Sequence, residues 1–174
     1  KKPTAQRRVV VTGMSAITPV GVDLESTWSQ LIAGKSGVGK ITQFDATDYD
    51  AQIAGEVDGF DPSDYVSKKD QRKTERFTQF ALVATHQALK DAGLEAKSTE
   101  LEQSGCLIGV GMGGLQGIQE NMTTLSTRGP SRVSPFFIPS VIANIAAGQV
   151  AIAVGAGGLA ALAVGAGVSR RSQE

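Results

Sequence analysis

Between Arg132 and Arg170 the chain carries no charged residue, and from Val150 to Val168 it uses only Ala, Gly, Val, Leu and Ile. So long a stretch without a charge belongs inside something, either protein or lipid. It is long enough to cross a bilayer. However, Pro135, Pro139, Asn144 and Gln149 interrupt it, and Ala and Gly add little transfer free energy. The expectation is therefore a buried helix and strand of small residues, as at a subunit interface, and no membrane span.

The rest of the chain reads as alternating strands and helices. Residues 8–12, RVVVT, close on Gly13 and have the pattern of a buried strand. Asp23 is placed to cap a helix through Ala33, with Glu25 in its first turn, Gly34 as its stop, and Trp28, Leu31 and Ile32 as its apolar stripe. Residues 36–66 show no sustained period and form a long excursion with a short strand near 52–57. Phe77, Phe80, Ala81, Ala84, Ala88 and Leu89 recur at three- and four-residue steps. This predicts a helix over 69–92, ended by Gly93. A second buried strand follows over 105–111, with a helix behind it over 114–125. This order argues for an α/β layered domain, and 174 residues hold one such core rather than two.

Seventeen basic and seventeen acidic residues cancel, so no global field draws in nucleic acid or an anionic membrane. A single cysteine forms no internal disulfide, which points to a reducing compartment. The opening KKPTAQRR runs into three valines, too few for the apolar core of a signal peptide.

Four features invite chemistry. Cys106, the only thiol, lies inside the apolar run CLIGV without a basic neighbour and reads as an inert core cysteine. His86, the only histidine, has no nucleophile near it in sequence and reads as an ordinary helical residue. Residues 109–114, GVGMGG, satisfy a dinucleotide-loop pattern between a strand and a helix. The ribose-binding acid expected about twenty residues later is absent, because no Asp or Glu occurs between Glu120 and Glu174. Lys68, Lys69, Arg72 and Lys73 form a basic cluster partly offset by Asp70 and Glu75. Cations at a helix start oppose its dipole, so stability alone would not select them there.

Five collinear stretches, RRVVVTGMSAITPVG (7–21), STWSQLIAGKSG (26–37), FTQFALVATHQALKDAGL (77–94), GVGMGGL (109–115) and SPFFIPSVIANIAAGQVAIA (134–153), resemble type II β-ketoacyl-acyl-carrier-protein synthases. Residues 7–153 carry the resemblance, and 154–174 form an atypical Ala/Gly-rich tail. The resemblance implies a thiolase-like layered αβαβα fold, of which this chain holds the N-terminal half, and a homodimer. It implies a Claisen condensation: malonyl-carrier protein loses carbon dioxide and the resulting carbanion attacks a cysteine thioester, with two histidines and a lysine assisting. The partner would be acyl carrier protein bearing a phosphopantetheine-linked acyl chain, met by Lys69, Arg72 and Lys73. Met112 and Phe137 would touch that acyl chain, and the glycines at 109–114 would let backbone pass close to its channel. No cofactor and no metal are implied, and the compartment would be bacterial cytoplasm or plastid stroma.

The family's nucleophile motif, of the form T-A-C-A-S-G, falls on residues 165–170, where Ala166 and Ser169 match. Gly167 stands in the cysteine's place, and glycine has no nucleophile. The chain as written is therefore expected to be inactive alone. A non-catalytic partner subunit that shapes a chain-length pocket is the second reading, and a dinucleotide-binding domain the third. Half of such a fold would leave a sheet flank uncovered, which favours association.

Overall fold

The computed structural model describes residues 8–158 and the strand Ala160–Ala163. Helix α1 spans Leu24–Ile32. The Asp23 carboxylate accepts the Ser26 amide at 2.7 Å, and Gly34 follows with φ +67°, so both predicted end signals operate. The predicted stripe does not. Trp28, Leu31 and Ile32 are 61%, 55% and 70% exposed, while Thr27 is the buried face. Its hydroxyl donates to the Gly21 carbonyl at 3.2 Å and lies 3.2 Å from the Thr18 hydroxyl. A hydroxyl network thus anchors α1, and its apolar stripe has no cover among the described residues.

The excursion holds strands β1 (Val38–Lys40) and β2 (Ile53–Gly55), paired antiparallel with Val38 opposite Gly55. The helix predicted over 69–92 is broken into α2 (Lys68–Gln71) and α3 (Arg76–Asp91). Side chains fill the gap in place of helical bonds. The Thr74 hydroxyl donates to the Asp70 carbonyl at 2.8 Å, and the Gln79 amide donates to the Gln71 and Thr74 carbonyls at 3.1 and 2.9 Å. Such backbone-capping contacts compete with the helix ladder, and an apolar period cannot register them.

Strand β3 (Cys106–Gly109) lies parallel to β4 (Ala160–Ala163), with Cys106 beside Ala160. β3 alternates between half-buried and exposed residues, and Leu107 is 70% exposed; the predicted fully buried strand is buried on one face. Helices α4 (Leu115–Arg128), α5 (Phe137–Val141) and α6 (Ile145–Val154) complete the order. Residues 8–12 form no strand, and Val9, Val10 and Val11 are 91%, 64% and 78% exposed. A strand needs a neighbour to complete its ladder, and no described strand flanks these valines.

The core lies between α3 and α6. Leu82 and Val83 of α3 meet Val150 and Val154 of α6, with Val66 and Leu101 closing the cluster and Cys106 and Ile108 packing from β3. Most of α6 within the uncharged run is thus interior protein, as expected, whereas the front of the run is not: Phe136 and Ile138 are 48% and 57% exposed. Ala146 and Ala147 are 0% and 2% exposed, and such small residues let two helices approach closely. Among the described residues no helix is long and apolar enough to cross a membrane.

Candidate functional site

At Gly109 the chain leaves β3 and enters the glycine turn that leads into α4. Gly113 has φ +81°, and a Cβ there would lie 2.5 Å from the Val141 carbonyl oxygen. A Cβ at Gly114 would lie 2.6 Å from Glu75 Cγ and 3.0 Å from Val141 Cα, and the Gly114 amide donates to the Val141 carbonyl at 3.0 Å. The glycines therefore serve close backbone approach, here to the end of α5.

The inner side of the same turn borders an open cleft of about 360 Å³ whose wall includes Ile17, Phe77, Phe80, Ala84, Ile108 and Gly111. The Ser15 hydroxyl on its rim is spent on the Ala84 carbonyl at 2.7 Å. An apolar cleft of this size, with its rim hydroxyl already bonded, suits an alkyl chain better than a polar ligand.

The outer side holds Glu75, the residue just before α3. Burial, and then the nearby Glu120, push its carboxyl above the ordinary value of 4.5, while the Gly117 amide pulls the other way. A phosphate at the start of α4 would meet this carboxylate, which argues against the nucleotide-loop use of 109–114. Raised in the fold, Glu75 binds its proton more tightly there than in the unfolded chain. Its ionised form therefore costs stability above the folded pKa, and the cost disappears below 4.5. Glu75→Gln is accordingly expected to stabilise the chain near neutral pH by under about 1 kcal/mol, since a half-exposed charge is screened. The gain should vanish in acid. Urea melts across pH check this, and a gain that persists at low pH would assign it another cause.

The predicted residues distribute unevenly around this geometry. Met112, at the tip of the turn, is 72% exposed, and Phe137 is half-buried at the start of α5; neither borders the cleft. Lys69 on α2 and Arg72 at its C-terminal end are exposed. Lys73 is half-buried, its ammonium 5.3 Å from the centre of the Phe136 ring, which ties the basic cluster to the segment leading into α5. Because α2 is a single turn, the predicted conflict between these cations and a helix dipole does not arise.

Burial raises the Cys106 thiol and keeps it protonated. It also lowers His86, whose ring lies edge-on to Tyr65 at 5.4 Å. Neither approaches the chemistry of an activated nucleophile or base. Gly167 lies outside the described residues. Among the described residues no group of three or more His, Cys, Asp or Glu could hold a metal ion. Reasoning from sequence placed Glu75 only with the basic cluster and missed its approach to Gly114 and Gly117, as it missed Val141 and the contribution of Ile17. Only the spacing of Gly114 and Gly117 on one helix hinted that something approaches there.

Comparison with known proteins agrees with this arrangement. The chain is 44% identical over 153 residues to 3-oxoacyl-[acyl-carrier-protein] synthase 2 of Synechocystis sp.. It is 46% identical over 154 residues to the protein of the same name from Vibrio cholerae. Each match covers 88% of this chain and 37% of the relative, so the chain spans little more than a third of their length. Among solved structures, the ishigamide ketosynthase/chain length factor superposes with a TM-score of 0.81 at 26% identity, covering 92% of this chain and 40% of that one. A β-ketoacyl synthase from Burkholderia phymatum superposes with a TM-score of 0.71 at 22% identity, covering 90% and 38%. The fold is thus the layered thiolase-like α/β architecture, represented by its N-terminal portion. Residues 6–169 match the family described as "Beta-ketoacyl synthase, N-terminal domain", a match that runs past residue 153 into the Ala/Gly-rich tail. In sequence over nearly its whole length, and in fold, this chain belongs to the β-ketoacyl synthase family.

Proposed function

We propose that this chain is the acyl-binding and carrier-docking portion of a 3-oxoacyl-[acyl-carrier-protein] synthase, which condenses an acyl thioester with malonyl-carrier protein in fatty-acid elongation. The observation that carries the reading is the apolar cleft bounded by the Gly109–Gly111 backbone and Phe77 and Phe80, in a chain 44% identical to a synthase of that name. Lys69, Arg72 and Lys73 form the docking patch for the acidic carrier protein. A solved type II ketosynthase bound to its acyl-carrier protein shares the fold at a TM-score of 0.71. Met112 and Phe137 belong to the acyl path beyond the described cleft, reached when the homodimer forms. The relatives named above are bacterial, which supports cytoplasm as the compartment, with plastid stroma as its equivalent.

Condensation needs a thiolate that attacks the carrier thioester, expelling the phosphopantetheine thiolate, and that leaves in turn when the carbanion attacks the enzyme-bound acyl group. With Gly167 at that place, the chain alone is expected to bind acyl-carrier protein without taking its acyl group. Incubation with radiolabelled acyl-carrier protein should leave no label on the chain after denaturation, while a pull-down recovers the complex at low salt. Covalent label released by hydroxylamine would overturn the inactive reading. Absence of carrier binding, with binding of a nicotinamide dinucleotide, would overturn the assignment itself.

One observation favours a second reading, a non-catalytic chain-length subunit: glycine replaces the nucleophile while the cleft is kept. Native mass spectrometry with an intact synthase separates the two, because only such a subunit pairs in stoichiometric amounts.

A further inference from the structure

The outer face of the glycine turn carries a contact that condensation chemistry does not call for. Helix α4 starts behind Gly114, which has no side chain to accept from the free amides of the first turn. Glu75 reaches this end from the start of α3. Its Cγ lies 2.6 Å from where a Gly114 Cβ would be, and its carboxylate fills the place of a Gly117 Cβ, which sets an acceptor oxygen against the first turn of α4; the Gly117 amide lowers its pKa against the effect of burial. Both glycines therefore keep open a seat for one side chain.

We propose that Glu75 is a positioning residue: a helix cap supplied in trans by α3 to α4, which holds the glycine turn and hence sets the width of the cleft where Gly109 and Gly111 form its wall. The consequence for chain length rests on the acyl-cleft reading above; the capping does not. The charged group that acts on Glu75 from α4 is Glu120. α5 presents none, its sequence being FIPSV. On the α3 side, Arg76 donates to the Val57 carbonyl and lies against the Phe60 and Phe80 rings, and Lys73 lies over Phe136. These cations are engaged elsewhere, so Glu75 works through its shape and its acceptor oxygen. Glutamine supplies both; alanine supplies neither.

The test uses the full 174-residue chain and reads two signals. The first is hydrogen exchange at the amides of residues 113–118. The second is binding of a series of saturated acyl-pantetheine thioesters of increasing length. Glu75→Ala is expected to speed that exchange about tenfold, the equivalent of losing one helix cap, and to broaden the length preference. Glu75→Gln should remain within about threefold of the unsubstituted chain in both signals. Gly117→Ala pushes the carboxylate away from the opposite side and should reproduce Glu75→Ala, which guards against one variant that merely misfolds. Unchanged exchange in Glu75→Ala, or equal loosening in the Gln and Ala variants, overturns the proposal. Should the unsubstituted chain bind no acyl thioester of any length, the acyl-cleft reading fails, and the exchange contrast still decides the cap.

Discussion

Val150→Asp is expected to destabilise the chain by at least about 4 kcal/mol, enough to remove most of the stability of a domain this size. Val150 is 3% exposed and sits in the cluster where α6 meets α3. Among the described residues a carboxylate there meets an apolar cluster, since α6 carries no charged residue and the other members of the cluster are Val66, Leu82, Val83, Leu101 and Val154. The effect is larger than that of any truncation at this site, because an unpaired buried charge costs more than a small cavity. Ile152 provides the control on the same helix. It is 73% exposed, so Ile152→Asp should stay within about 0.5 kcal/mol. Urea denaturation followed by circular dichroism compares the two. Equal tolerance of both aspartates would mean that α6 is not core.

The second large effect concerns docking. Reversing Lys69 and Arg72 together, as Lys69→Glu and Arg72→Glu, is expected to weaken binding of acyl carrier protein by about a hundredfold or more at low salt. Each lost charge-assisted bond accounts for roughly a factor of ten, and the new acids repel an acidic partner. Both side chains are exposed, so the fold should be unaffected. Lys73 is left in place because its ammonium also rests over Phe136, and its loss would mix docking with packing. Titration at two ionic strengths measures the change. The difference between variant and unsubstituted chain should shrink as salt rises, in keeping with a screened interaction. An unchanged affinity would move the carrier-protein surface elsewhere on the chain.

Local signals were read correctly where the chemistry is local. The Asp23 cap and the Gly34 and Gly93 stops are set by neighbours a few residues away, and they appear in the structure where the sequence places them. Periodicity located α3 but joined it to α2, because the break at 72–75 is held by hydroxyl and amide side chains whose bonding partners no hydropathy pattern reveals. The three valines at 9–11 and the stripe of α1 are a different case. Their composition states a demand for cover, and composition cannot say whether the cover lies within these residues.

What the sequence alone determined was kinship and layering: five collinear motifs, the alternation of strand and helix, and an uncharged run that supplies a core helix in α6. The tertiary structure decided what the glycines are for. A glycine records that something comes near, and only folding brings Val141 and Glu75 together against the place a Gly114 side chain would take. Contacts between residues so far apart in the chain depend on how helices α3, α4 and α5 pack, and that packing is a property of the whole core rather than of any local stretch.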